Sequence, residues 1–319
     1  MQKSQLQRYS RQIMLDDIGL DGQQRLMDAR VTVVGAGGLG TPILTHLAAM
    51  GVGHISIVDR DTIELTNLHR QTLYSDADIG AAKVDAAAAR LRKLNPDADI
   101  STMPVSVNRR SARSVVDGSN IVIDALDSVD ARYALNEACF DAAIPFVTGG
   151  AVGTAGQVFV VMPGRTACYE CAFPGMTDEQ MPSCGVEGVN PAILSVIGGL
   201  EVSEAIRILC GWEPATLDHV LHVNIATADF VRVRMEHVAE CPTCGNGTRR
   251  PVESGYIIEE LCGRRGGQRT FAISPPAPRK PLRADDRVSV TKGDGSAIVT
   301  GCITEDAAVD LYEQITVPA

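Results

Sequence analysis

Residues 30–40 read RVTVVGAGGLG and residues 54–61 read HISIVDRD, and these two stretches decide the fold. Arg30 to Val34 is a strand-like apolar run that ends on the glycine-rich turn Gly35-Ala36-Gly37-Gly38-Leu39-Gly40. A helix is expected from that turn through Met50, and His54 to Val58 is a second apolar strand closing on Asp59. Strand, glycine turn, helix and strand make a βαβ unit. Such a turn lets backbone N–H groups approach phosphates at a helix N-terminus, and an acid ending the next strand can bind ribose hydroxyls. Gly35, Gly37, Gly38, Gly40 and Asp59 fit those roles. Alone, the pattern is ambiguous and favours a dinucleotide redox site first, an ATP site second and a structural turn last.

Working outward, Leu6 to Met27 has helical periodicity with breaks near Gly19 and Gly22, so short amphipathic helices should precede the first strand. A helix over Lys83–Leu94 and strands near Ile100–Val105, Asn120–Ala125 and Pro145–Thr148 continue the alternation, which implies a mainly parallel sheet. Beyond Thr148 the texture leans antiparallel. Gln157–Met162, His219–Asn224 and Phe230–Met235 read as strands, Pro191–Cys210 as a long buried helix, and the Gly-, Pro- and Met-rich segment Cys171–Asn190 as a mobile loop over a site. A boundary is expected near Gly247. The remainder, 248–319, reads as a Pro-rich linker at 274–283 with strand-like runs at 288–290 and 297–299 and a helix near 305–315. The expected class is α/β: a Rossmann-like nucleotide-binding domain with a mixed, mainly parallel sheet, plus a small C-terminal extension.

The 319 residues carry 29 Lys and Arg against 39 Asp and Glu, a formal charge of −10, which argues against nucleic acid or an anionic membrane as partner. The N-terminal MQKSQLQRYSRQ lacks the apolar segment of a secretory signal, and no stretch reaches the ~20 apolar residues that span a bilayer, so a cytoplasmic location is expected.

Chemistry concentrates after Asp59. The stretch DRDTIELTNLHRQ at 59–71 places Asp61, Asn67, Arg70 and Gln71 in one loop, and Lys83 opens the next helix. Cations aimed at phosphates suit adenylation, which must stabilise charge on departing pyrophosphate, better than hydride transfer. Asp124 and Asp127, in DALDS, sit at a strand's carboxyl end where a carboxylate can hold Mg²⁺, unless Asp127 or Ser128 caps the following helix. Of nine cysteines, Cys168, Cys171, Cys241 and Cys244 form two Cys-x-x-Cys pairs. Four thiolates leave no open coordination position, which indicates structural zinc rather than catalytic zinc. Cys139 and Cys210 sit in apolar helical contexts and read as core.

The combination of RYSRQ at 8–12, GAGGLG at 35–40, DRD at 59–61, NLHRQ at 67–71, Lys83, DALD at 124–127 and the two cysteine pairs resembles the MoeB/ThiF/HesA family, ubiquitin-activating-like adenylyltransferases of sulfur-carrier proteins. The resemblance covers residues 6–247. It implies that the first domain binds Mg-ATP and a ubiquitin-fold carrier ending in Gly-Gly, and turns the carrier's terminal carboxylate into an acyl-adenylate. It further implies that Arg70 and Lys83 contact phosphates, Asp127 holds Mg²⁺, Asp59 binds ribose, and Asn67 and Gln71 support the pocket. Arg11 would reach the γ-phosphate from a second subunit, making a homodimer. Cys184, preceding the long helix, matches a loop cysteine that serves sulfur transfer or thioester formation in the family, with a cysteine desulfurase or rhodanese as donor. Two other readings remain: an NAD-dependent oxidoreductase, which Asp59 permits, and a non-catalytic half of an activating enzyme. The tail matches no rhodanese domain, and Cys262 in its EELCGRRGG segment reads as linker.

Overall fold

The computed structural model describes residues 1–180, 187–249, 255–265, 268–290 and 295–319. Eight strands form the main sheet: β1 Arg30–Val34, β2 His54–Val58, β3 Asp99–Met103, β4 Ile121–Asp124, β5 Phe146–Val152, β6 Ala155–Val161, β7 His219–Asn224 and β8 Asp229–Arg234. Their order is β3-β2-β1-β4-β5-β6-β7-β8. The first five run parallel, with Val31 opposite both Ile55 and Ile121; β5 through β8 are antiparallel.

Both faces of the sheet are covered over its parallel strands, which is why these read as unbroken apolar runs, whereas β8 is exposed along its length. Val31, Val33, Ile55, Ile57, Ile121 and Ile123 face one core, while their neighbours Val34, Val58 and Val122 face the other. Helices α3 (Gly19–Asp28), α4 (Gly40–Met50), α5 (Lys83–Leu94) and α9 (Pro191–Cys210) cover the first face. Helices α6 (Ala112–Val116), α7 (Val129–Asp141) and α8 (Tyr169–Ala172) cover the second. Two short helices, α1 (Lys3–Arg8) and α2 (Ser10–Ile13), precede them. The start of α9 is written in its sequence: Asn190 Oδ1 accepts from the Ala192 N–H at 2.9 Å and Pro191 occupies the first turn.

The expected break at Gly22 does not occur, because α3 runs through it. A Cβ there would lie 3.1 Å from Cys210 Sγ, so the glycine serves the close approach of α9. Cys139 and Cys210 are buried as expected.

In the C-terminal segment the expected strands near 288–290 and 297–299 and the helix at 305–315 are present, and further strands appear in the stretches read as linker. Strands β9 (Ile257–Arg265), β10 (Gln268–Ser274), β12 (Val288–Val290) and β13 (Ala297–Cys302) form an antiparallel sheet in the order β12-β13-β10-β9. Helix α10 (Glu305–Ile315) packs Leu311, Tyr312 and Ile315 onto Phe271, Ile273 and Val299. Within the Pro-rich stretch, β11 (Arg279–Pro281) pairs with β14 (Thr316–Pro318), and position 262 falls on β9 rather than in a linker. No helix among the described residues is long and apolar enough to cross a membrane.

Candidate nucleotide site and cysteine centre

The glycine loop joins β1 to α4, and its glycines divide by cause. Gly35 has φ +101°, and a Cβ there would lie 2.5 Å from Ala125 O; one on Gly40 would lie 2.0 Å from Gly35 O. A Cβ on Gly38 would meet Leu194 Cδ1 of α9 at 2.7 Å. Gly35 and Gly40 are demanded by the backbone of the turn and its neighbour strand end, Gly38 by the approach of α9. Gly37 differs: its side-chain direction is open except for Gln71 Nε2 at 3.6 Å. Helix α4 begins there without a side-chain cap and with no acid in its first turn, so its positive end remains available to an anion.

Around this loop the predicted residues converge. Asp59 Oδ2 accepts from Ala36 N–H at 2.7 Å and Oδ1 accepts from Asp61 N–H at 2.8 Å. Burial raises the Asp59 carboxyl above its ordinary value, against the pull of Lys83 and these two N–H donors. Lys83, 5% exposed, donates from Nζ to Asp61 Oδ2 at 2.8 Å. Burial pushes its ammonium down, but Asp59, Asp61 and Asp127 outweigh that and hold it above its ordinary value. A cation is thus fixed beside the glycine loop at neutral pH. Tyr74, which sequence reasoning missed, donates its hydroxyl to Ala36 O at 2.8 Å and ties the loop to the base of α5.

Asn67 Oδ1 accepts from Glu64 N–H at 3.1 Å and shapes the turn that presents the next residues. Arg70 donates to Thr66 O at 2.9 Å, with its stem 3.6 Å from the Cβ direction of Gly38. Gln71 is 3% exposed, and its Oε1 has no hydrogen-bond partner among the described residues. A buried amide oxygen left in this state costs stability unless a ligand or water satisfies it.

The two acids of DALD separate. Asp124 is fully buried and structural, a correction to its reading as a metal-binding candidate: Thr148 Oγ1 donates to it at 2.6 Å, Leu126 N–H at 2.9 Å, and Arg132 Nε lies 3.1 Å away. Arg132 also donates to Leu126 O and to Gly149 O, which fixes the loop carrying Asp127. Asp127 is exposed, and Ser128 caps α7 in its place. Beneath this network lies Glu201 of α9, fully buried with both oxygens unpartnered among the described residues. Burial and the neighbouring Asp124 push its carboxyl well above the ordinary range. An acid at the end of the apolar run Ile193–Leu200 was the sequence signal for it.

Arg11 is not brought to the loop within one chain. Gln12, beside it on α2, donates to Met50 O at 2.7 Å, at the far end of α4, and 11 residues of helix put that end roughly 16 Å from the glycine loop. Cys184 lies outside the described residues.

The cysteine pairs do meet. Cys168 and Cys241 Sγ are 3.5 Å apart, Cys171 and Cys244 Sγ 3.3 Å, and all four sulfurs fall within 4.8 Å of one another. Tetrahedral zinc with Zn–S of about 2.3 Å separates its sulfurs by about 3.8 Å, so the four residues fit that ion.

Comparison with known proteins places this geometry. The SAMP-activating enzyme E1 of Haloferax volcanii is 38% identical over 257 residues, 80% of this chain and 95% of its own length. The sulfur carrier protein adenylyltransferase of Thermus thermophilus is 36% identical over 270 residues, 82% and 98% respectively. Escherichia coli MccB shares the fold at 24% identity, with a TM-score of 0.67 over 75% of this chain and 74% of that one. The ThiF family model matches residues 9–243, spanning the glycine loop, the acidic and basic residues around it and the cysteine centre to Thr243, and the chain belongs to the ThiF family.

Proposed function

We propose that this protein is an ATP-dependent adenylyltransferase that activates the C-terminal Gly-Gly carboxylate of a ubiquitin-fold sulfur carrier. The observation that carries the reading is the convergence on one uncapped helix N-terminus of Lys83, Arg70, the unpartnered Gln71 oxygen and the exposed Asp127. Relatives named as adenylyltransferases support it. An oxidoreductase would have no use for cations placed there, and a non-catalytic scaffold would not need to keep them.

In the reaction a carrier carboxylate oxygen bonds to the α-phosphorus of ATP while the bond to the bridging oxygen of pyrophosphate breaks. No protein nucleophile is required. The chain's work is to align the two anions and offset the charge that grows on pyrophosphate. Gly37 and the first turn of α4 receive the phosphates, Arg70 and Lys83 offset their charge, and Gln71 and Asn67 shape the pocket. The Asp59 carboxylate faces the ribose, and Asp61 holds Lys83 in place between turnovers. Mg²⁺, when bound through Asp127, would neutralise the phosphate oxygens. Because Arg11 sits at the far end of α4, its access to the γ-phosphate needs a second copy of the chain, so the active form is a homodimer. The four-cysteine centre holds structural zinc and pins α8 to the end of residues 1–247, the adenylation domain. Cys184 acts after adenylation, in sulfur transfer from a desulfurase or rhodanese-type donor.

The test is exchange of labelled pyrophosphate into ATP with small ubiquitin-fold proteins whose Gly-Gly ends are intact or removed. Exchange that requires the intact tail is expected. Exchange independent of any carrier, or none with any carrier despite ATP binding, overturns the assignment.

A further inference from the structure

The loop after β3, residues 104–111, is joined on one side to the nucleotide-binding strand and on the other to the C-terminal module. Asp59 N–H donates to Met103 O at 3.2 Å, and Arg60 Nη1 reaches Ser106 Oγ at 3.4 Å. The loop is internally braced: Asn108 Oδ1 accepts from the N–H groups of Arg110 and Ser111 at 3.0 and 3.2 Å, and Ser111 Oγ donates to Ser106 O at 2.7 Å. Two successive arginines leave it in different directions. Arg109 pairs with Glu137 on α7, whereas Arg110 donates to Ser274 O at 3.1 Å and to Gly255 O, both in the C-terminal module. Arg249, just before that module, forks Asp141 of α7 through both terminal nitrogens at 2.6 Å and reaches Glu137 at 3.3 Å.

Strand order says what this loop faces. In the order β3-β2-β1, phosphates belong at the glycine loop after β1 and ribose at Asp59 after β2. The nucleotide base therefore falls on the β3 side, against half-buried Met103 and Val105. The C-terminal module has its own apolar core in Phe271, Ile273, Val299 and Tyr312, so it is not needed to fill the core of the main sheet. Its described hold on the loop is the charged grip of Arg110.

We propose that the C-terminal module, residues 255–319, is a working part of the nucleotide site, and that Arg110 is the positioning residue through which it sets the wall beside the base. The inference rests on the adenylation reading for what occupies the pocket. Arg110 touches no reacting atom. It supplies charge-assisted bonds to two carbonyls of the module, one of them Ser274 O at the end of β10, so the loop is tied to that sheet. Losing the grip frees the wall, and the nucleotide must then order it on binding.

The experiment uses the full chain with Arg110→Ala and Arg110→Lys. ATP binding is measured by calorimetry without carrier, ATP dependence by pyrophosphate exchange with carrier, and loop opening by amide hydrogen exchange over residues 104–111. For Arg110→Ala, weakening of ATP binding by about fivefold is expected, the low end of coupling between sites. KM for ATP should rise in step, kcat should change less than about twofold, and the loop amides should exchange faster. Lys retains one charged donor and should recover part of the affinity, which distinguishes positioning from general damage. Unchanged ATP affinity and loop protection in Arg110→Ala, with normal binding by the parent chain, overturns this inference alone. A loss confined to kcat also overturns it. A parent chain that binds no ATP overturns the adenylation reading together with it.

Discussion

Glu201→Gln should stabilise the protein increasingly as pH rises through the neutral range. The carboxyl lies under the Asp124–Arg132 ion pair, fully buried, with neither oxygen hydrogen-bonded among the described residues. Arg132 is already balanced by Asp124, so ionising Glu201 would leave a net buried anion, and its proton is held well above the ordinary value of 4.5. The sign follows from linkage. A folded chain that keeps a proton the unfolded chain releases loses stability as pH climbs from the unfolded pKa to the folded one, at about 1.4 kcal/mol per pH unit, and is level above that. Gln has nearly the same shape and no proton to hold. Its amide inherits the same lack of partners, so at acid pH the two proteins should agree within about 1 kcal/mol. Above that limit the variant should gain at up to about 1.4 kcal/mol per pH unit until the parent's folded-state pKa is passed. Urea unfolding from about pH 5 to about pH 8 measures the difference directly. A pH-independent offset, or a variant that falls behind as pH rises, would show that Glu201 is ionised and paired with Arg132, and would refute the reasoning.

Three further outcomes are expected. Asp127→Ala should cut pyrophosphate exchange by about 100-fold while shifting stability by less than about 0.5 kcal/mol, since the side chain is exposed; full exchange in the variant would remove the Mg²⁺ assignment. Gly40→Ala should fail to fold or unfold several degrees earlier in a thermal melt, because its methyl would lie 2.0 Å from Gly35 O; a parent-like melting temperature would contradict the turn geometry. Elemental analysis of purified protein should find one zinc per chain, lost in Cys241→Ser, and retention of metal by that variant would place the ion elsewhere.

Much of this molecule could be read from its sequence because the first half is built of locally encoded units. Buried parallel strands such as Arg30–Val34 show as continuous apolar runs, and α5 and α9 end where their sequences said, at Leu94 and at Cys210 before Gly211. The glycine loop and its cationic flank were legible because one short segment carries them. What escaped was tertiary. Asp124 and Asp127 share one motif, and only burial by Thr148 and Arg132 makes the first structural. Gly22 looked like a helix breaker, since contact with Cys210 cannot be seen locally. The pairing of β11 with β14 joins residues far apart in sequence, and the charged texture of IIEELCGRR concealed β9.

The cysteine centre also has a topological consequence. Cys168 and Cys241 are 73 residues apart in sequence, and a metal ion joining them would turn α9, β7 and β8 into one closed ring of chain. Treated as a cross-link, closing a ring of that length removes unfolded-state entropy worth about 4.4 kcal/mol. Both ends of the stretch that runs from Cys171 through α9, β7 and β8 to Cys241 would stand on the same ion. A single peptide-bond cut between Cys171 and Pro191 would then leave two fragments still joined through four sulfurs, and they would separate only when the metal was withdrawn and the domain unfolded as well, since β6 also pairs with β7.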